Sequence, residues 1–218
     1  MYSIMIEYYI KIIDMNTFNA LINDYENRIL LSQPQNYYKD IAFYSLVPEN
    51  NKFMIMAKQS AIKYSLTPAY PIGIVIVSEE GKVLSRAGNG NGYHELHLKS
   101  RGHIKGCKRK VIMEAMKNRE PEINHEDIAY DLCPGCHTDY HAEAKAINHC
   151  ENKIHLIGAS IYMYGHYWCC KDCWEKIKKS GIKDVFLPDT YKKFQDRTEV
   201  RKWSEEVKRA RENNSISI

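Results

Sequence analysis

Apolar positions change period along the chain, and the period of each stretch predicts its element. Near the N-terminus Ile4, Ile6, Tyr8, Ile10 and Ile12 alternate with Met5, Glu7, Tyr9 and Lys11, which suits a strand. Thr17 is placed to cap a helix in which Phe18, Leu21, Ile22, Tyr25, Ile29 and Leu30 fall at helical spacing. Breaks follow at residues 33–36 and 47–51. Residues 53–64 read as a helix with Met54, Ala57, Ala61 and Tyr64 on one face, ended by Pro68 and Pro71. Residues 73–78 are a continuous apolar run, the mark of a strand buried on both faces. A turn at Glu79, Glu80 and Gly81 leads into a return strand opening at residues 82–85, and a glycine-rich loop follows at 87–92.

Further on, helices are expected at residues 107–118, 141–150 and 170–180, the last closed by Gly181, with strands at 160–164 and 182–187. Strands alternating with helices point to βαβ units and an α/β layered fold. Residues 198–213 form a charged helix candidate with a thin apolar stripe of Val200, Trp203 and Val207. That stripe predicts packing onto the domain. A nucleic-acid role is disfavoured, because Glu199, Glu205, Glu206 and Glu212 interrupt the basic face.

Composition narrows the class. The 218 residues are 44% hydrophobic and 27% charged, as in a soluble globular protein, and 11 glycines with 7 prolines exclude a collagen-like or linker-dominated chain. No apolar run reaches the ~18 residues that span a bilayer, and the N-terminus lacks the basic leader and cleavage site of a signal peptide, so no membrane role is expected. The net charge of +4 and pI near 8.5 permit an anionic small molecule or a nucleic acid and demand neither. The chain divides into an N-terminal extension over residues 1–50, an α/β domain over 51–190, and a charged helix and tail over 191–218. Seven cysteines, at 107, 133, 136, 150, 169, 170 and 173, and nine histidines are the unusual content. An odd thiol count without an export signal suits a reducing, cytoplasmic setting, where clustered thiols read first as metal ligands.

His141-Ala142-Glu143 opens one predicted helix, and Cys170-Lys171-Asp172-Cys173 opens another. One histidine and two cysteines give zinc three protein ligands, whereas a structural site would be closed by four. Positions i and i+3 share a helix face, so both sulfurs can meet one ion. A helix N-terminus favours their thiolate forms. Glu143, two residues from His141, is then left to move the proton of a water that zinc activates near neutral pH. Such a set suits hydrolysis at a ring carbon bearing an amine.

In these motifs and their order the chain resembles the zinc-dependent cytidine and deoxycytidylate deaminases, whose signature is His-x-Glu followed by Pro-Cys-x-x-Cys. The resemblance covers roughly residues 53–190. It takes in the helix with Met54 and Ala57, the strand at 73–77, Gly88-Asn89-Gly90, residues 132–137, His141-Ala142-Glu143-Ala144, Ile161-Tyr162, and residues 170–173 with Gly181-Ile182. It looks nearest to the deoxycytidylate (dCMP) deaminases, which have an insertion and often cysteines ahead of the His-Ala-Glu motif. The resemblance implies a three-layer α/β/α fold with a mixed central sheet. It also implies zinc on His141, Cys170 and Cys173, with Glu143 as the catalytic acid–base. The implied reaction takes a cytosine nucleotide, above all dCMP, to its uracil form with release of ammonia. Cys169 departs from the pattern, standing where the family carries proline, and the spacing to Cys173 favours Cys170 over it as the ligand. The first 50 residues have no counterpart in the family.

By the same resemblance, Asn89 contacts the substrate, the backbone N–H of Ala142 meets the base carbonyl, and the protein is a homo-oligomer. The residues alone leave Asn89 equally open to a turn role at positive φ. His166 is a substrate-binding candidate, with a surface or stacking histidine as the alternative, and Tyr164 and Trp168 are candidates to stack on a base. Arg86, Lys99, Arg101, Lys105, Lys108 and Arg109 are candidates for a 5′-phosphate. Cys107, Cys133 and Cys136, with His137 or His103, would make a second, structural zinc site, the alternative being free thiols in a loop. Cys150 reads as a buried helix residue. Two other functions stay open. One is a deaminase acting on another nucleobase, or on a base within tRNA or single-stranded DNA, which would need a continuous basic surface. The other is a non-catalytic, zinc-containing nucleotide-binding regulator, against which the intact Glu143 argues.

Overall fold

A computed structural model describes residues 44–67, 69–93, 133 and 135–215. The strand at 4–12, the helix after Thr17 and the helix at 107–118 lie outside the described residues. Among those described, five strands form one mixed sheet in the order β1-β5-β4-β2-β3. They are β1 (Tyr44–Val47), β2 (Gly73–Val77), β3 (Val83–Gly88), β4 (Ser160–Tyr164) and β5 (Asp184–Pro188). β1 and β4 run parallel to β5, while β2 runs antiparallel to both β4 and β3. The helices are α1 (Lys52–Tyr64), α2 (Ala142–His149), α3 (Lys171–Lys179) and α4 (Arg197–Ser215).

Strand pleating sorts the core into two halves. Ile74, Ile76, Ile161 and Met163 point to one face, where Ala142 and Ala146 of α2 and Cys173 and Ile177 of α3 cover them. Val75, Val77, Tyr162 and Tyr164 point to the other, against Met54, Ala57 and Ala61 of α1 and Val200, Trp203 and Val207 of α4. The result is the expected three-layer α/β/α arrangement, and the predicted apolar stripe of α4 is what joins that helix to the domain. Asn51 starts α1 by accepting the N–H of Phe53 at 2.9 Å. α1 lies directly on the backbone of β2, since a Cβ on Gly73 would fall 2.1 Å from the Ala57 carbonyl oxygen. α4 in turn caps α1: Arg211 donates to the carbonyls of Ala61 and Ser65 at 3.1 and 2.7 Å.

Some boundaries differ from the sequence reading. The return strand begins at Val83 and takes Ala87 and Gly88 out of the predicted loop. The last strand is Asp184–Pro188 rather than 182–187. Tyr64 is 36% exposed, and Ser60 takes its place on the buried face of α1. The Ser60 hydroxyl donates to the Met56 carbonyl at 2.8 Å, which lets a polar side chain sit there. β1 has no counterpart in the prediction. Its Ser45 and Leu46 are exposed, so its four residues show no apolar alternation.

Candidate functional site

Both helices that carry the predicted motifs begin on the same side of the sheet. His141 is the N-cap of α2. Cys170 is the N-cap of α3, and Cys173 lies one turn further in. The His141 Nδ1 atom is 3.4 Å from the sulfur of Cys170 and 3.4 Å from that of Cys173. Among the described residues these three make the one group of His, Cys, Asp or Glu gathered round a metal position, with ligand atoms all within 4.8 Å of one another. A tetrahedral zinc with Zn–S and Zn–N bonds of about 2.3 and 2.0 Å sets sulfur and nitrogen about 3.5 Å apart, so the preformed spacing fits that ion. Two thiolates and an imidazole are also the donor chemistry zinc selects.

Electrostatics point the same way. Cys170 is pushed down to about 6, chiefly by the hydrogen bond from the Cys173 thiol and also by His141, against the effect of burial. Cys173 is held far up because its proton is the one that bond uses. Burial lowers His141, but the Cys170 hydrogen bond and the charge of Glu143 outweigh it, and the ring is pushed up to about 9. A further hydrogen bond to the backbone of Cys136 fixes the ring's orientation. The site thus holds a thiolate and a concentrated demand for positive charge, which zinc meets. Glu143 is 4% exposed and lies on the first turn of α2, within electrostatic reach of His141, His166 and Cys170.

A cavity of about 530 Å³ opens over this group. Its wall includes Asn89, His141, Glu143, His166, Trp168 and Cys170. Asn89 does not take a positive φ, since no described residue other than glycine does. Its Oδ1 accepts from the Ser65 hydroxyl at 2.7 Å and from the Ile72 N–H at 2.9 Å, and its Nδ2 donates to the Tyr70 carbonyl at 2.8 Å. It therefore stitches residues 65–72 to the end of β3 and presents an edge to the cavity. His166 follows β4 across Gly165, whose φ of +95° sets the chain turning into the cavity. The His166 Nδ1 atom lies 2.5 Å from the Trp168 carbonyl and 3.3 Å from the Trp168 N–H, and the shorter contact places the ring proton on Nδ1. Burial lowers its pKa, so the ring is neutral with Nε2 as an acceptor. Ala142 is fully buried at the first position of α2.

Other predicted residues fall elsewhere. Arg86 is not among the residues lining the cavity, and its guanidinium donates to the Ser60 hydroxyl and the Met56 carbonyl, both at 3.0 Å. Lys99, Arg101, Lys105, Lys108 and Arg109 lie outside the described residues, as does Cys107. Cys133 is buried and Cys136 half-buried, and with His137 they form no second metal group among the described residues. Tyr164 packs edge-on against Phe194 and Trp203 rather than facing the cavity. Five further contributors have no signal in the motifs. The hydroxyl of Tyr44 in β1 accepts the Cys169 N–H at 2.6 Å. Phe194, Gln195, Arg197 and Val200 supply a further wall of the cavity.

Residues 48–188 match the family model described as the cytidine and deoxycytidylate deaminase zinc-binding region. A comparison with curated proteins finds no match. Among the described residues no helix is long and apolar enough to cross a membrane.

Proposed function

The chain belongs to the cytidine and deoxycytidylate deaminase family, and from that premise we propose that it deaminates a cytosine nucleotide, dCMP, to dUMP and ammonia. The observation that carries this reading is the buried Glu143 lining one cavity together with His141 and Cys170 of the His141, Cys170 and Cys173 group. Zinc bound there supplies the Lewis acidity that makes water a nucleophile at neutral pH. Glu143 accepts one proton from the attacking water and delivers it to N3 of the base as the oxygen bonds to C4. It then accepts the remaining proton of the hydroxyl now on C4 and delivers it to the amine as the C4–N bond breaks, so that ammonia leaves and the C4 carbonyl forms. The N–H of Ala142 binds the base carbonyl, and Nε2 of neutral His166 and the edge of Asn89 orient the nucleoside.

The preference for a nucleotide over a nucleoside is supported by Arg197. It is exposed at the rim of the cavity, while Glu143 is buried within it. Among the described lining residues, histidines aside, it is the one cation. A guanidinium there suits a phosphate by charge-assisted, bidentate hydrogen bonds. Ammonia release from dCMP, CMP, deoxycytidine, guanine and a tRNA substrate, with protein of measured zinc content, tests the reading. dCMP is expected to react best. Turnover of guanine or of tRNA alone replaces the substrate, and inertness toward all five rejects the function.

A further inference from the structure

Cys169 creates a demand that its surroundings answer. A proline at this position would have no N–H. Cysteine has one, and at 3% exposure that donor would be left unsatisfied without a partner. The partner is the Tyr44 hydroxyl, 2.6 Å away. The Cys169 thiol is itself hydrogen-bonded with that hydroxyl and with Glu143. Tyr44 is fixed at both ends. Its backbone pairs with Val185 of β5, and its ring lies tilted against Trp174, with centroids 5.7 Å apart, next to the ligand Cys173 on α3. A continuous path therefore runs from β1 through Tyr44 and Cys169 to Glu143, and it begins ahead of the matched residues 48–188.

We propose that Tyr44 is a positioning residue for Glu143: acting through the N–H and thiol of Cys169, it holds the carboxylate in the direction that proton transfer needs, and so makes β1 part of the active site. The proposal rests on the reading of Glu143 as the acid–base group. Its test uses the full, zinc-loaded chain as wild type, Tyr44→Phe, Cys169→Ala, Cys169→Ser and the double variant Tyr44→Phe/Cys169→Ala. For each, kcat, KM and zinc content are measured with dCMP, or with whichever cytosine substrate the wild type deaminates. Tyr44→Phe is expected to keep its zinc, to lose about tenfold in kcat and to hold KM within about twofold, the effect of a group that orients a site's primary residues. The double variant is expected to fall no further than the slower single variant, because both break one path. Cys169→Ser keeps a donor and an N–H, and it is expected to be faster than Cys169→Ala even if Tyr44→Phe folds poorly. Wild-type kcat in Tyr44→Phe, losses that multiply in the double variant, or equal rates for Cys169→Ser and Cys169→Ala overturn the proposal and leave the role of Glu143 standing. A wild type that releases no ammonia from any cytosine substrate rejects the functional reading, and this proposal with it.

Discussion

Cys169 and Cys170 adjoin in the chain but serve different neighbours. As N-cap of α3, Cys170 brings its sulfur to 3.4 Å from the His141 ring, level with Cys173 one turn along. The Cys169 thiol goes to Glu143 and Tyr44 instead, and burial together with the Glu143 charge holds it protonated. Zinc content should separate the two. Cys170→Ala and Cys173→Ala each leave two protein ligands, too few for a stable site, and both are expected to purify nearly zinc-free. Cys169→Ala is expected to retain zinc like the wild type. Metal analysis of the three purified variants checks this, and equal zinc loss from Cys169→Ala would shift the ligand register by one residue.

At the scale of elements, Glu49 links three segments. It stands between β1 and α1, and its carboxylate accepts from Thr190 and Lys193 and, at 3.4 Å, from the Tyr164 hydroxyl of β4. Burial raises its pKa, but the hydrogen bonds from Lys193 and Thr190 and the Lys193 charge bring it below the ordinary carboxylate value. A lowered folded-state pKa stabilises the protein above the unfolded value and loses that stability as pH falls through the folded one. With both side chains about one-third exposed, the pair is worth about 1 kcal/mol. Glu49→Gln is therefore expected to melt ~2–4 °C below the wild type at pH 7. Melting curves down to acid pH should show the two converging as Glu49 protonates. A gap that persists at low pH would assign the loss to packing.

The same scale shows what the sequence made legible. β2 and β4 could be read because both of their faces are buried, which leaves an uninterrupted apolar run in one and a clean boundary in the other. The metal ligands and Glu143 could be read because their spacings are local to two helix starts. β1 could not: as a four-residue edge strand with Leu46 53% exposed, it carries no periodic signal. Tyr44, 125 residues from Cys169 in the chain, and Arg197, beyond the last motif, reach the site by tertiary packing, and no motif encodes that. Charge alone did not say that the Arg86 guanidinium faces a serine hydroxyl and a backbone carbonyl of α1 rather than the cavity wall.

For the whole molecule, the layered fold brings the C-terminal helix round to the mouth of the cavity. Trp203 fixes α4 there by donating its indole N–H to the Pro71 carbonyl at 2.8 Å, one residue before cavity-lining Ile72. Arg197 is thus presented from a firmly packed helix. Replacing it with glutamine is expected to cost dCMP about tenfold in kcat/KM, the loss of charge-assisted hydrogen bonds to a phosphate, and to leave deoxycytidine nearly unchanged. Steady-state kinetics on both substrates checks this, and an equal loss on both would make Arg197 a structural residue. The central claim is that zinc held by His141, Cys170 and Cys173 works together with Glu143 as the proton carrier. Its most direct test is ammonia release from dCMP by the wild type and Glu143→Gln, each with its zinc measured. The expected result is equal zinc in both proteins and a fall in turnover of at least ~10²-fold in the variant. Near-normal turnover in Glu143→Gln at matched zinc would contradict it.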